Sequence, residues 1–120
     1  MSNRTRHLER YNKNKKLANS EELSKEENFD WKIIIIYYAA LHLLDSSYAD
    51  DEILPHPPNH EKRKFKIKGT YNDDIYNCYN NLETLSRQAR YDCIKIKEKH
   101  VKKAYDYLES IESFVFALAN

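Results

Sequence analysis

Three short stretches hold the side chains that could do chemistry. In YYAALHLLDSS a single imidazole, His42, sits among aliphatic residues, with Tyr38 four positions before it and Asp45 three after. At helical spacing those two would flank it, and an imidazole titrating near neutral pH can move a proton or hold a hydrogen bond. HPPNHEKR supplies His56, His60 and Arg63, and LSRQARYD supplies Arg87, Arg90 and Tyr91. Arginine suits phosphate because its planar guanidinium donates two parallel, charge-assisted bonds. Each group also has a structural reading: His42 as a hydrogen-bonded, half-buried histidine, and the arginines as partners of Glu83 or of acids on a neighbouring helix.

Other chemistries find no support. The prolines between His56 and His60 keep the pair off one helical face, so no metal is expected there. Cys78 and Cys93 lack metal-type spacing and read as reduced thiols of a cytoplasmic protein. No glycine-rich phosphate loop, serine elbow or telling carboxylate pair occurs, so neither a cofactor nor ordinary hydrolase or kinase chemistry is expected.

The elements that must position these groups read as helices. With Gly 1 and Pro 3 in 120 residues, the chain has too few breakers for a many-turned sheet. A first helix is predicted over about 4–23, with a weak stripe of Leu8, Tyr11, Lys15 and Ala18. Asp30 is a fair N-cap for the second. There Ile34, Tyr37, Tyr38, Leu41, Leu44, Asp45 and Tyr48 recur at spacings of three and four, which outweighs the strand propensity of the β-branched run 33–36. This is a core helix, apolar nearly all round at its start.

Pro55, Pro57 and Pro58 make a stiff loop. Asn59 can cap a short third helix from about His60 to Lys68, which Gly69 would end. A fourth helix carries Ile75, Cys78, Tyr79, Leu82, Leu85 and Ala89. A fifth has the cleanest stripe: Val101, Ala104, Leu108, Ile111, Val115 and Leu118. FKIKG and CIKIK alternate like strands but are too short to build a sheet. The fold class is all-α, an antiparallel bundle of four or five helices forming a single domain over 1–120.

Composition sets further bounds. Charged residues make up 32% and the net charge is +1, so bulk charge predicts no polyanion partner. Basic groups nonetheless cluster at 4–16, 62–68 and 95–103, where they read as solvated helix faces or, if the fold gathers them, a patch. The uncharged run 33–44 is too short to span a membrane, and Asp45, Asp50, Asp51 and Glu52 follow it. The opening residues do not run charged-then-apolar, so no secretion signal is expected.

The series WKIIIIYYAALHLLDSSYA, HPPNHEKR, LSRQARYD and IKEKHVKKAYDYLESIESFV, taken in order, resembles the HEPN superfamily of small helical domains. The resemblance covers nearly the whole chain. It implies an antiparallel helical bundle that commonly dimerises, found beside nucleotidyltransferase partners or in toxin–antitoxin and defence systems. Active members are metal-independent ribonucleases with an Arg-x4-6-His motif closing the penultimate helix. In that pairing the histidine moves the 2′-hydroxyl or leaving-group proton while the arginine steadies phosphoryl charge.

This chain departs from the motif. The positions where the histidine belongs after Arg87 are Asp92, Cys93 and Ile94; after Arg90 they are Lys95, Ile96 and Lys97; after Arg63 they are Lys68, Gly69 and Thr70. The resemblance therefore implies binding without the standard catalysis. His42, His60, Arg63, Arg87 and Arg90, with Tyr38 and Tyr91 beside them, are expected to converge on one polar pocket for a nucleotide or RNA phosphate. A homodimer, or a complex with a nucleotidyltransferase-type protein, is the expected assembly. Two alternatives stand: a divergent ribonuclease using His42, His60 or His100 with Arg87 or Arg90, and a pure assembly domain.

Overall fold

A computed structural model describes residues 3–49, 57, 59–92 and 94–118, with the backbone alone for His60 and Leu118. Asp50, Asp51, Glu52, Pro55, His56, Pro58 and Cys93 lie outside the described residues. Among the described residues five α-helices follow one another: α1 (Asn3–Ala18), α2 (Phe29–Ser47), α3 (His60–Thr70), α4 (Asp73–Tyr91) and α5 (Glu98–Leu118). No strand occurs among the described residues. FKIKG is helical within α3, and residues 94–97 form irregular backbone before α5.

Local chemistry fixes the boundaries. α1 stops at Ala18 rather than near residue 23, and two short 3-10 turns, Glu22–Ser24 and Glu26–Asn28, lead into α2. Asp30 is not the cap of α2 but lies in its first turn, where its charge still suits the helix dipole. Asn28 occupies the cap position, yet its amide is spent on the preceding turn, donating to Glu22 O at 2.9 Å. Asn59 caps α3 as its position suggests, accepting from Lys62 N at 2.9 Å. Asn72 does the same for α4, accepting from Ile75 N at 3.0 Å. Gly69 does not terminate α3. The helix runs through it to Thr70, and the chain leaves in extended backbone at Tyr71, whose N–H donates to Ile67 O at 2.8 Å.

α2 is the hub. α1, α4 and α5 all pack on it, α5 also reaching α1 through Glu112, and α3 leans mainly on α4. Pairs such as Arg4 with Ser46 and His7 with His42 run α1 antiparallel to α2. Helices on several sides explain why α2 is apolar nearly all round. Ile33, Ile36, Tyr37, Leu43 and Leu44 have no solvent exposure, each contributing about 1.5–3 kcal/mol by burial. Of its predicted stripe, α5 buries Val101, Ala104, Leu108, Ile111 and Val115, and the Leu118 side chain lies outside the described residues. α4 buries Ile75, Tyr79, Leu82 and Leu85, while Cys78 and Ala89 are only partly covered. In α1, Tyr11 and Ala18 are buried, with Leu8 packed at the edge. None of the helices of the described residues is long and apolar enough to cross a membrane.

Candidate functional site

Of the side chains expected to meet in one pocket, His42, Arg63, Arg87 and Arg90 lie along a polar seam through the bundle. At one end His42 faces α1. Its Nδ1 is 3.1 Å from Nδ1 of His7, and the two rings are 5.3 Å apart and tilted by 32°. One ring must donate and the other accept, so the contact needs at least one neutral imidazole. Burial, with help from His7, Arg10 and Arg63 and against the pull of Asp45, lowers the His42 pKa to about 4. At neutral pH it is an uncharged group holding two helices together.

One turn along α2, Asp45 has no solvent exposure and Arg63 is 6% exposed. They meet bidentately, Arg63 Nε donating to Oδ1 and Nη2 to Oδ2, both at 3.1 Å. Arg63 also donates to Pro57 O at 3.3 Å, and the Tyr48 hydroxyl donates to Asp45 Oδ1 at 2.5 Å. Burial alone would lower the Arg63 pKa, but the bonds to Asp45 and its charge outweigh this and push it up. Removing one member of such a pair strands a charge in the interior, at a cost of about 3–5 kcal/mol. Arg63 thus ties α3 and Pro57 to the core.

Past this pair the hydroxyls of Tyr37 and Tyr79 meet at 2.9 Å in the interior. Tyr38, half-buried, packs its ring 5.2 Å from that of Tyr37. Next comes Glu83, 2% exposed on α4. Its Oε1 receives Arg87 Nη2 at 2.6 Å and lies 3.2 Å from Lys64 Nζ of α3. The seam then reaches the surface. The Arg87 side chain is 57% exposed, and Arg90 packs over the ring of Tyr91, itself 69% exposed, at 5.1 Å. Arg90 Nε donates back to Ser86 O at 3.4 Å.

Lys64, Arg87, Arg90 and Tyr91 therefore share the outer face where α3 meets the last turns of α4. His42 and Arg63 lie inward along the seam. His60 opens α3, but its side chain lies outside the described residues. His100, the remaining candidate base, is spent locally: its Nδ1 accepts from Lys97 N at 2.9 Å at the start of α5. Cys78 is a free thiol whose pKa is raised by burial. Among the described residues, no group of three or more His, Cys, Asp or Glu could hold a metal ion.

Two contributors escaped the sequence reading. His7 is one, although it precedes Tyr11 by four positions and so flanks the inward stripe of α1. Lys64 is the other, indistinguishable in sequence from its basic neighbours until α3 is laid beside Glu83. Comparison with protein-family models, with curated proteins and with solved structures finds no match for this chain.

Proposed function

We propose that this chain is a HEPN-like binding module that engages RNA or a nucleotide without cleaving it, acting in the cytoplasm in a toxin–antitoxin or defence setting. The observation that carries the reading is the outer end of α4. Two cations from different helices, Lys64 and Arg87, converge on one carboxylate oxygen, while Arg90 and the exposed ring of Tyr91 stack beside them. Such a face offers charge-assisted donors to a phosphate and an aromatic plane to a base. The order of helices and the bundle they form agree with the HEPN resemblance. The absence of a standard Arg-x4-6-His motif, and the local engagement of His42 and His100, favour binding over catalysis.

The proposed assembly is a homodimer, or a complex with a nucleotidyltransferase-type partner. Two copies would bring two such faces towards one cleft. Exposed Trp31 and Phe65, at 58% and 77%, give a partner apolar surface to cover.

The test is fluorescence anisotropy with a labelled single-stranded RNA in EDTA. Wild type should bind, more weakly as salt rises, and the RNA should stay intact at protein excess. Arg87→Ala with Arg90→Ala should weaken binding at least tenfold while the circular dichroism of the helices is unchanged. Affinity indifferent to that double substitution would overturn the proposed face. Cleaved RNA would favour a divergent ribonuclease, and a dimer that ignores RNA would favour a pure assembly domain.

A further inference from the structure

We infer a modification site: the amine of Lys32, in the first turn of α2, is a nucleophile that takes the acyl group of a small acyl phosphate such as acetyl phosphate. Lys32 is 8% exposed, whereas the other described lysines are exposed or half-buried. A lysine so covered normally has an ion-pair partner. Here no carboxylate of the described residues pairs with it, and the ammonium rests instead on the ring of Tyr105 in α5, 5.5 Å from its centroid. The nitrogen is not sealed in. The aliphatic stem is buried in the bundle and Nζ comes out beside that ring, as long cationic side chains do. Lys32 lies outside the Lys64–Arg87–Tyr91 face, so the two readings stand or fall separately.

This setting favours the neutral amine, which is the nucleophilic form. Burial disfavours the charged form and lowers the Lys32 pKa. A carboxylate would restore the ammonium, as Glu112 could for Lys15 at 2.6 Å and Glu83 for Lys64 at 3.2 Å, but Lys32 has only an aromatic face, a weaker partner. Tyr105 does not supply the missing anion. Its hydroxyl donates to Asn19, and burial raises its pKa, so it stays protonated.

The class of acyl donor follows from the neighbourhood. Tyr105 also walls an open depression of about 530 Å³ on the first turns of α5, with Glu98, Lys99, Val101 and Lys102. Two cations against one acid favour an anionic donor over a neutral or cationic one. The slight exposure of Lys32 favours a small acyl group over a bulky one. In the step itself, Nζ attacks the carbonyl carbon, an N–C bond forms and the C–O bond to phosphate breaks. The departing phosphate takes the amine proton and leaves as hydrogen phosphate, so the products are an amide on Lys32 and one phosphate ion. The amide carries no charge, which removes the cost of covering an ammonium without an ion-pair partner.

Incubating the full chain with acetyl phosphate near neutral pH, with peptide mass spectrometry at early times, tests the assignment. Lys32 should be acetylated at least about fivefold faster than the exposed Lys13, Lys62 and Lys103, since each unit by which an amine pKa falls raises its neutral fraction about tenfold. The preference should vanish in urea, where the burial is lost. Lys99→Gln with Lys102→Gln should slow the reaction of Lys32 with acetyl phosphate about threefold or more, yet leave its reaction with neutral acetic anhydride unchanged. These are surface substitutions, and unchanged helical circular dichroism checks that the fold is kept. Acetylation of Lys32 no faster than that of the exposed lysines, a preference that survives in urea, or a doubly substituted chain that reacts with acetyl phosphate as fast as wild type would each overturn the proposal.

Discussion

At the scale of single residues, the seam shows how one polar group can be legible in sequence while its role is not. His42, with Tyr38 and Asp45 at helical offsets, marked the rim of an apolar helix. Its decisive partner, His7, lies 35 positions away, and only the docking of α1 brings the rings together. Likewise Asp45 sits in an apolar stripe and must have a cation, yet nothing in the local pattern selects Arg63 over the lysines around it. The His7–His42 contact has a consequence for pH. Folding lowers the His42 pKa from its ordinary 6.5 to about 4, so the folded state binds this proton less readily than the unfolded chain. The resulting stability is fully present above about pH 6.5 and is lost as pH falls through the window down to about 4. The groups facing the imidazole are His7 and Arg10 of α1, Asp45 of α2 and Arg63 of α3, three of them able to repel an added proton. Urea unfolding at pH 7.5 and pH 4.5 should show wild type losing on the order of 2 kcal/mol more than His42→Gln across that interval. Parallel losses in the two proteins would mean that the imidazole pair is not a determinant of acid sensitivity.

At the scale of elements, periodicity was the stronger guide and punctuation the weaker one. Among the described side chains the stripes of α2 and α5 are buried, the half-buried Tyr38 apart, because burial on a 3.6-residue repeat is a property of the pattern itself. Ends are decided by competition between nearby bonds. Asn28 sits at the cap of α2 but binds Glu22, and α1 closes at Ala18 because the next residues prefer 3-10 turns. Gly69 is the instructive case. A glycine after a basic run reads as a left-handed stop, yet α3 continues through it, and a Cβ built there meets nothing within 4 Å. Gly69→Ala should therefore stabilise the protein by about 0.5–1 kcal/mol, since alanine loses less backbone entropy and suits the helix better. The urea midpoint should rise with the slope unchanged. A fall would indicate the left-handed conformation that the sequence alone suggests.

At the scale of the whole molecule, α1 is held unlike the rest. α2, α4 and α5 share a continuous apolar interior, whereas α1 buries only Tyr11 and Ala18 fully and offers a weak stripe. That weakness was visible in its sequence; the compensation was not, because it consists of contacts between residues far apart in the chain. Arg4 reaches Ser46, His7 meets His42, and Glu112 of α5 receives both the Tyr11 hydroxyl and Lys15, the latter at 2.6 Å. Tyr105 of α5 adds a bond to Asn19 just beyond α1. A helix fastened mainly by polar clasps should open before one seated in the core, since local stability follows the apolar area that opening exposes. In hydrogen exchange, the amides of α1 should therefore exchange faster than those of α2. Glu112 is the clasp whose loss touches α1 most and the core least, as it stands at the edge of the α5 stripe rather than within it. Glu112→Ala should speed exchange across α1 by roughly five- to tenfold, the equivalent of one or two lost hydrogen bonds, and leave the amides of α4 near their wild-type rates. Equal acceleration in α1 and α4 would mean that the five helices open as one cooperative unit and that α1 is as much a part of the core as its neighbours.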